Sequence, residues 1–144
     1  MQQSSYWIFG GNLGIITDEN ETESKYDLIS GTFLPGTEVP LHLHTKYSES
    51  IYIEQGELTV FMKDKTSVLK AGEHIFIPTG VPHAILASGD TVTKALTVAA
   101  PGGFAKLIRT VGHPSPEIPT DMGLFMQVAE EIGDKLLGPP GTRP

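Results

Sequence analysis

The feature that most limits how this chain can fold is its punctuation between residues 26 and 100. Short apolar runs, none long enough for a stable helix, alternate there with glycine and proline turns. The runs at 26–34, 39–44, 50–54, 57–62, 67–69, 74–77, 83–88 and 92–99 predict eight strands in about 75 residues. Pro35-Gly36 and Pro78-Thr79-Gly80 join a fixed φ to a residue that accepts φ > 0, which is turn chemistry. The 16 glycines and 11 prolines carry the same message of many turns and few long helices. An all-β domain is therefore expected, and the strand spacing suits a small jelly roll.

The flanks read differently. An apolar segment at about 5–17 is interrupted by Gly10, Gly11 and Asn12, too early for a secretory signal or a membrane span, and is read as strand. After Pro101-Gly102-Gly103, the residues Phe104, Leu107 and Ile108 suggest a turn or two of helix, and the proline-rich HPSPEIP then forbids its continuation. Thr120 or Asp121 can cap a second helix, whose apolar residues Leu124, Phe125, Val128, Ala129, Ile132 and Leu136 recur at three- and four-residue spacing. Gly138-Pro139-Pro140-Gly141 ends it, and the last few residues are expected to be loose. The chain thus reads as one domain over 1–144, with a barrel at about 26–100, an N-terminal strand segment at about 5–17 and a C-terminal helical extension at about 101–138. Its 144 residues suffice to bury about two-thirds of the unfolded surface without a disulfide or metal staple.

A formal charge of −7, with no cluster of lysine and arginine, argues against nucleic acid or an anionic membrane as partner. A small neutral molecule or a metal ion is easier to accommodate. The absence of cysteine rules out a disulfide framework and is compatible with a reducing cytoplasm, which is the expected compartment.

Candidate chemistry lies in two stretches. In GTEVPLHLHTKYSE, His42 and His44 are two apart and so project from one face of a strand. A turn over Thr45 to Ser48 resets the register, so that the return strand carries Glu49, Ile51 and Ile53 inward. GEHIFIPTGVPH then supplies His83. A lone histidine near a β-turn is more often hydrogen-bonded than ligating. Here four ligand-type residues fall within 42 positions and use three of the five histidines, leaving His74 as a strand residue facing solvent or a neighbour and His113 in a loop. Three imidazoles and one carboxylate suit a single divalent transition metal ion, one of Fe, Mn, Ni, Cu or Zn.

The stretch from Gly36 to Gly56 resembles the first cupin motif at every defined position: a glycine, five residues, His, one, His, four, Glu, six, Gly. From Gly72 to His83 the chain resembles the second motif, and departs from it where the final asparagine gives way to Ala87. The 15 residues between the motifs match the short linker of a minimal single-domain cupin of the cupin-2 type. The tail is similar to that of small bacterial cupins related to quercetin 2,3-dioxygenase.

The resemblance implies a double-stranded β-helix, the jelly-roll cupin barrel, carrying a C-terminal amphipathic helix. It implies His42, His44, Glu49 and His83 as ligands of one divalent metal ion, with Glu49 also taking a proton from substrate. It implies a metal-dependent dioxygenase acting on a small aromatic or enediol-type, flavonol-like molecule. A non-catalytic sensor or binding module is the alternative, and a sugar isomerase or epimerase, which needs further acid, base and basic groups, ranks below both. Candidate pocket walls are Ile51, Ile53, Val60, Ile75 or Phe76, Ile85 and Ala87, with the alanine predicting a drier, roomier site. A homodimer formed through residues 6–16 is also implied, unless that segment adds an edge strand to its own barrel.

Overall fold

The computed structural model describes residues 4–144, and within them two antiparallel sheets face each other. The strands are β1 (Ser4–Ile8), β2 (Gly11–Thr17), β3 (Asp27–Phe33), β4 (Glu38–His44), β5 (Ser48–Gln55), β6 (Glu57–Met62), β7 (Lys65–Lys70), β8 (His74–Ile77), β9 (His83–Ala87), β10 (Thr93–Ala100) and β11 (Asp134–Leu136). One sheet runs β1-β2-β3-β10-β5-β8 and the other β11-β4-β9-β6-β7. All eight strands expected between 26 and 100 are present, most within a residue or two of the predicted bounds.

Alternation along each strand makes the core. On β5, Glu49, Ile51 and Ile53 are buried while Ser50, Tyr52 and Glu54 are exposed. Ile53, Leu58, Val60, Ile77 and Ala87 fill the space between the sheets with Ile51, Leu69, Ile75 and Ile85. Gly56, at the β5–β6 turn, has φ 82°, and a Cβ there would lie 2.7 Å from Thr93 Cα. That position therefore requires glycine for space as well as for conformation.

The N-terminal segment is a hairpin. Phe9 and Gly10 both take positive φ, as a two-residue type I′ turn requires, and Ile8 pairs with Gly11. β2 pairs with β3, so the segment extends its own sheet. The free edge of β1 is partly covered by the proline-rich connector: Trp7 N–H donates to His113 O at 2.7 Å, and His113 N–H to Trp7 O at 3.0 Å.

Two helices and a strand close one end. α1 (Phe104–Val111) begins on Asp27, whose Oδ2 accepts from Gly103 N–H at 2.8 Å and Ala105 N–H at 2.9 Å. Asp27 is fully buried, and burial pushes its pKa up despite these bonds. α2 (Met122–Ile132) is capped by Asp121, which accepts from Leu124 N–H at 3.1 Å.

The helix expected to run through Leu136 stops at Ile132. Gly133 takes φ 83° and ends it, and Asp134–Leu136 pairs with β4 as strand. The last residues are tethered, contrary to expectation. Arg143 stacks over Phe61 at 4.0 Å and pairs with Glu38 at 2.7 Å, and Leu137 N–H donates to Leu41 O at 2.8 Å. Among the described residues no helix is long and apolar enough to cross a membrane.

Candidate metal centre

Three strands deliver the four side chains singled out in the sequence. Pro40 has no N–H for the β4–β9 ladder, and the register shifts between Val39 and His42, after which His42 stands opposite His83. His42 and His44 share a face, and the Thr45–Tyr47 turn returns the chain so that Glu49 opens the inward row of β5. The His42 ring lies 4.8 Å from that of His44 and 4.3 Å from that of His83, centre to centre. One ligand atom from each of His42, His44, Glu49 and His83 falls within 4.8 Å of all the others. His83 Nε2 is 4.0 Å from Glu49 Oε1, and His44 Nε2 is in direct contact with that oxygen.

The outer nitrogens of the rings are all engaged. His42 Nδ1 lies 2.7 Å from Pro40 O, His83 Nδ1 2.9 Å from Val81 O, and His44 Nδ1 2.6 Å from Asp134 Oδ1. Each of these partners is an acceptor, so each Nδ1 carries the proton and Nε2 is the atom turned to the centre. The Nε2 atom of His83 is buried and makes no hydrogen bond, while that of His44 meets only Glu49. An unpaired buried acceptor costs about 1–3 kcal/mol, and a cation at the common centre would satisfy these nitrogens and Glu49 together. The donor set fits a divalent transition metal of intermediate softness.

The electrostatics favour ligation at three of the four residues. Burial, reinforced by the neighbouring His83 and His44, pushes the pKa of His42 down to about 3. Burial also lowers that of His83. Burial alone would raise Glu49, but contact with His44 and the charge of the surrounding imidazoles hold it at about 2. Burial opposes charge on His44 as well, yet the hydrogen bond to Asp134 and the Glu49 carboxylate outweigh it and push its pKa up to about 9. With no ion bound, His44 is thus a cation between two carboxylates at neutral pH, and a metal would displace its inward proton.

His42, His44 and Glu49 line a mostly apolar cavity whose walls include Leu13, Phe33, Val39, Ile51, Ile85 and Phe104. The cavity measures about 120 Å³, where one water needs roughly 10–15 Å³.

The structure also sorts the predicted walls. Ile51 and Ile85 line the cavity, whereas Ile53, Val60 and Ala87 pack in the core beneath it. Ala87 is therefore packing, and the larger cavity expected from its replacing asparagine does not arise from this position. Ile75 faces in at 7% exposure and Phe76 out at 55%. His74 is exposed, and His113 bridges to Trp7.

Two residues of the centre escaped sequence reasoning. Asp134 holds His44, and Tyr47 donates its hydroxyl to Asp134 Oδ2 at 2.9 Å while stacking on the His44 ring at 4.3 Å. Nothing local signals Asp134, because its partner is 90 residues away.

Paired antiparallel sheets that bring three histidines and a glutamate together beside an apolar cavity define a cupin-type barrel with a candidate metal site. Residues 30–99 match the Cupin_2 model, "Cupin domain", and this part of the chain is a cupin domain. Among characterised relatives it is 24% identical over 100 residues to quercetin 2,3-dioxygenase of Bacillus subtilis (strain 168) and 26% identical over 99 residues to polyketide synthase CurC of Streptomyces cyaneus. Each match covers 69% of this chain, but only 29% and 64% of the respective relatives. Among solved structures, KdgF from Halomonas sp. superposes with a TM-score of 0.63 at 15% identity, covering 74% of this chain and 91% of that one. That likeness supports the fold alone.

Proposed function

We propose that His42, His44, Glu49 and His83 hold one divalent transition metal ion and that the protein is a metal-dependent dioxygenase of small, apolar, hydroxylated aromatic or enediol-type molecules. The observation that carries this reading is the junction of a four-ligand cluster with an apolar cavity. When bound, the ion supplies a Lewis acid with positions open beyond its four protein ligands.

The chain's own residues would do the rest. Glu49, held ionised by its histidine neighbours, accepts the proton of a substrate hydroxyl brought to it in the cavity. The imidazoles, their Nδ1 protons committed to Pro40, Val81 and Asp134, keep Nε2 aimed inward. Phe33, Val39, Ile85 and Phe104 give a flat organic body an apolar surface and exclude water from the reacting hydroxyl. The likeness to the Bacillus dioxygenase supports the reaction class. A sugar phosphate is disfavoured, since Lys135 is the sole lysine or arginine among the residues lining the cavity.

The cysteine-free sequence suits the cytoplasm. A homodimer is also proposed, although residues 6–16 pair within their own sheet and could contribute to it only as that sheet's outer edge; light scattering at a monomer mass would refute it.

Oxygen-electrode assays of metal-loaded protein with 3-hydroxyflavones, catechols and small enediols test the activity. Oxygen uptake that requires both metal and one of these compounds is the expected result. Metal bound with no uptake across the panel would overturn the dioxygenase reading and favour a binding module.

A further inference from the structure

We propose that Asp134 and Tyr47 form a positioning pair for the metal centre, so that the C-terminal strand β11, which lies outside the matched domain, completes a site whose four ligands come from the barrel. The inference rests on the metal-binding reading above and deepens it.

The three histidines are not held alike. His42 and His83 each give Nδ1–H to a backbone carbonyl two residues earlier, a partner supplied by their own strand or turn. His44 gives its proton to a carboxylate that arrives from the far end of the chain, at 2.6 Å. A charged acceptor makes the stronger bond and leaves the opposite nitrogen the better electron donor. His44 is thereby the most basic of the three prospective nitrogen ligands.

Tyr47 fixes the carboxylate in turn. Its hydroxyl donates to Asp134 Oδ2, leaving Oδ1 for His44, and its ring stacks on the imidazole at an interplanar angle of 30°. One tyrosine therefore restrains both partners of the hydrogen bond. Tyr47 is itself buried, 3% exposed, so this network is shielded from competing water.

The backbone is arranged to deliver Asp134. β11 pairs with β4 in the register that sets Asp134 opposite His44. Just before it, Gly133 O accepts from Thr45 N–H at 2.8 Å and from Thr45 Oγ1 at 2.6 Å. A Cβ on Gly133 would lie 2.5 Å from that hydroxyl oxygen. Glycine at this position, with φ 83°, thus eases a close approach of helix end to β4–β5 turn that a Cβ would crowd. Asp134 does not reach the common centre of the four ligands. It acts through His44, and the same strand places Leu136 on the cavity wall.

The test compares wild type, Asp134→Asn, Tyr47→Phe and Thr45→Val, by titrating Cu²⁺ and Ni²⁺ in competition with a chelator and by recording electron paramagnetic resonance of the Cu²⁺ forms. Asparagine keeps the shape and an acceptor oxygen but removes the charge. It is expected to weaken metal binding by about 10–100-fold and to alter the copper nitrogen hyperfine pattern while the far-ultraviolet circular dichroism stays unchanged. Tyr47→Phe retains the stacked ring, and is expected to weaken binding several-fold in the same direction. Thr45→Val loosens the docking of β11 without touching His44, and should leave the copper spectrum as in wild type.

Wild-type affinity and spectrum in both Asp134→Asn and Tyr47→Phe would overturn the pairing while leaving the metal site intact. A copper spectrum changed equally by Thr45→Val would also overturn it, since Asp134 would then act only by anchoring the strand. Wild-type protein that binds neither metal would overturn this proposal together with the metal reading on which it rests.

Discussion

Replacing Gly31 by alanine would place a methyl group in the space of the Phe33 ring. A Cβ built on Gly31 lies 2.7 Å from Phe33 Cε2, 2.9 Å from Cζ and 3.5 Å from Leu13 Cδ2. Carbon atoms at rest stand about 3.5–4.0 Å apart, so the ring must retreat by roughly 1 Å. Gly11 flanks the other edge, where a Cβ would fall 2.7 Å from Phe33 Cε1. The direction left to the ring is into the cavity that it lines. Such overpacking costs about 1–3 kcal/mol. Gly31 has no positive φ, so alanine adds no backbone strain, and its gain in strand propensity over glycine, about 0.5–1 kcal/mol, offsets part of the cost.

A double-mutant cycle separates these contributions. In a Phe33→Ala background the clash is gone while the propensity gain remains. The coupling between Gly31→Ala and Phe33→Ala is therefore expected to equal the clash, about 1–3 kcal/mol. Equilibrium urea unfolding, followed through the fluorescence of the single tryptophan, Trp7, provides the four free energies. Additivity to within about 0.5 kcal/mol would refute the idea that these glycines exist to seat the ring.

Other expectations concern stability and pH. In the metal-free protein the pKa of His44 is raised from 6.5 to about 9, so its contribution is complete below pH 6.5 and is lost as pH rises through 9. His42 is lowered from 6.5 to about 3, so its contribution is present above pH 6.5 and is lost as pH falls toward 3. Thermal melts of metal-free protein should peak near pH 6.5, and a melting temperature that climbs steadily from pH 6.5 to 9 would contradict this charge assignment. Ala87→Asn puts an amide into the core at a position 2% exposed; unpaired polar atoms and excess volume together should cost about 2–6 kcal/mol, and an unchanged denaturant midpoint would argue that position 87 has room. Gly133→Ala should lower both the melting temperature and the metal affinity, because its Cβ strikes Thr45 and φ 83° disfavours it.

The barrel was legible because its signals are local. Turn pairs such as Pro35-Gly36 mark strand ends wherever they occur, and strict alternation on β5 reveals which side of Ile51 and Ile53 is buried. The cluster was legible for a related reason, since His42 with His44 is a same-face pair by strand geometry and Glu49 heads the inward row of the next strand. Asp134 was not legible. Leu136 continues the three- and four-residue rhythm of α2, so the sequence there reads as more helix, and only the pairing of β11 with β4 turns Asp134 toward His44. The N-terminal hairpin was half legible: its apolar character predicts strand, but a Phe9 that must take positive φ for the turn looks in sequence like an ordinary apolar residue.

The central claim is that four side chains from β4, β5 and β9 hold one metal ion. Its most direct test is elemental analysis of protein loaded in turn with Fe²⁺, Mn²⁺, Ni²⁺, Cu²⁺ and Zn²⁺ and then desalted, comparing wild type with the His42→Ala/His83→Ala variant. About one equivalent per chain of at least one metal in wild type, and less than roughly a tenth of that in the variant, is the predicted result. Wild-type protein that retains no metal, or a variant that retains as much, would contradict the claim.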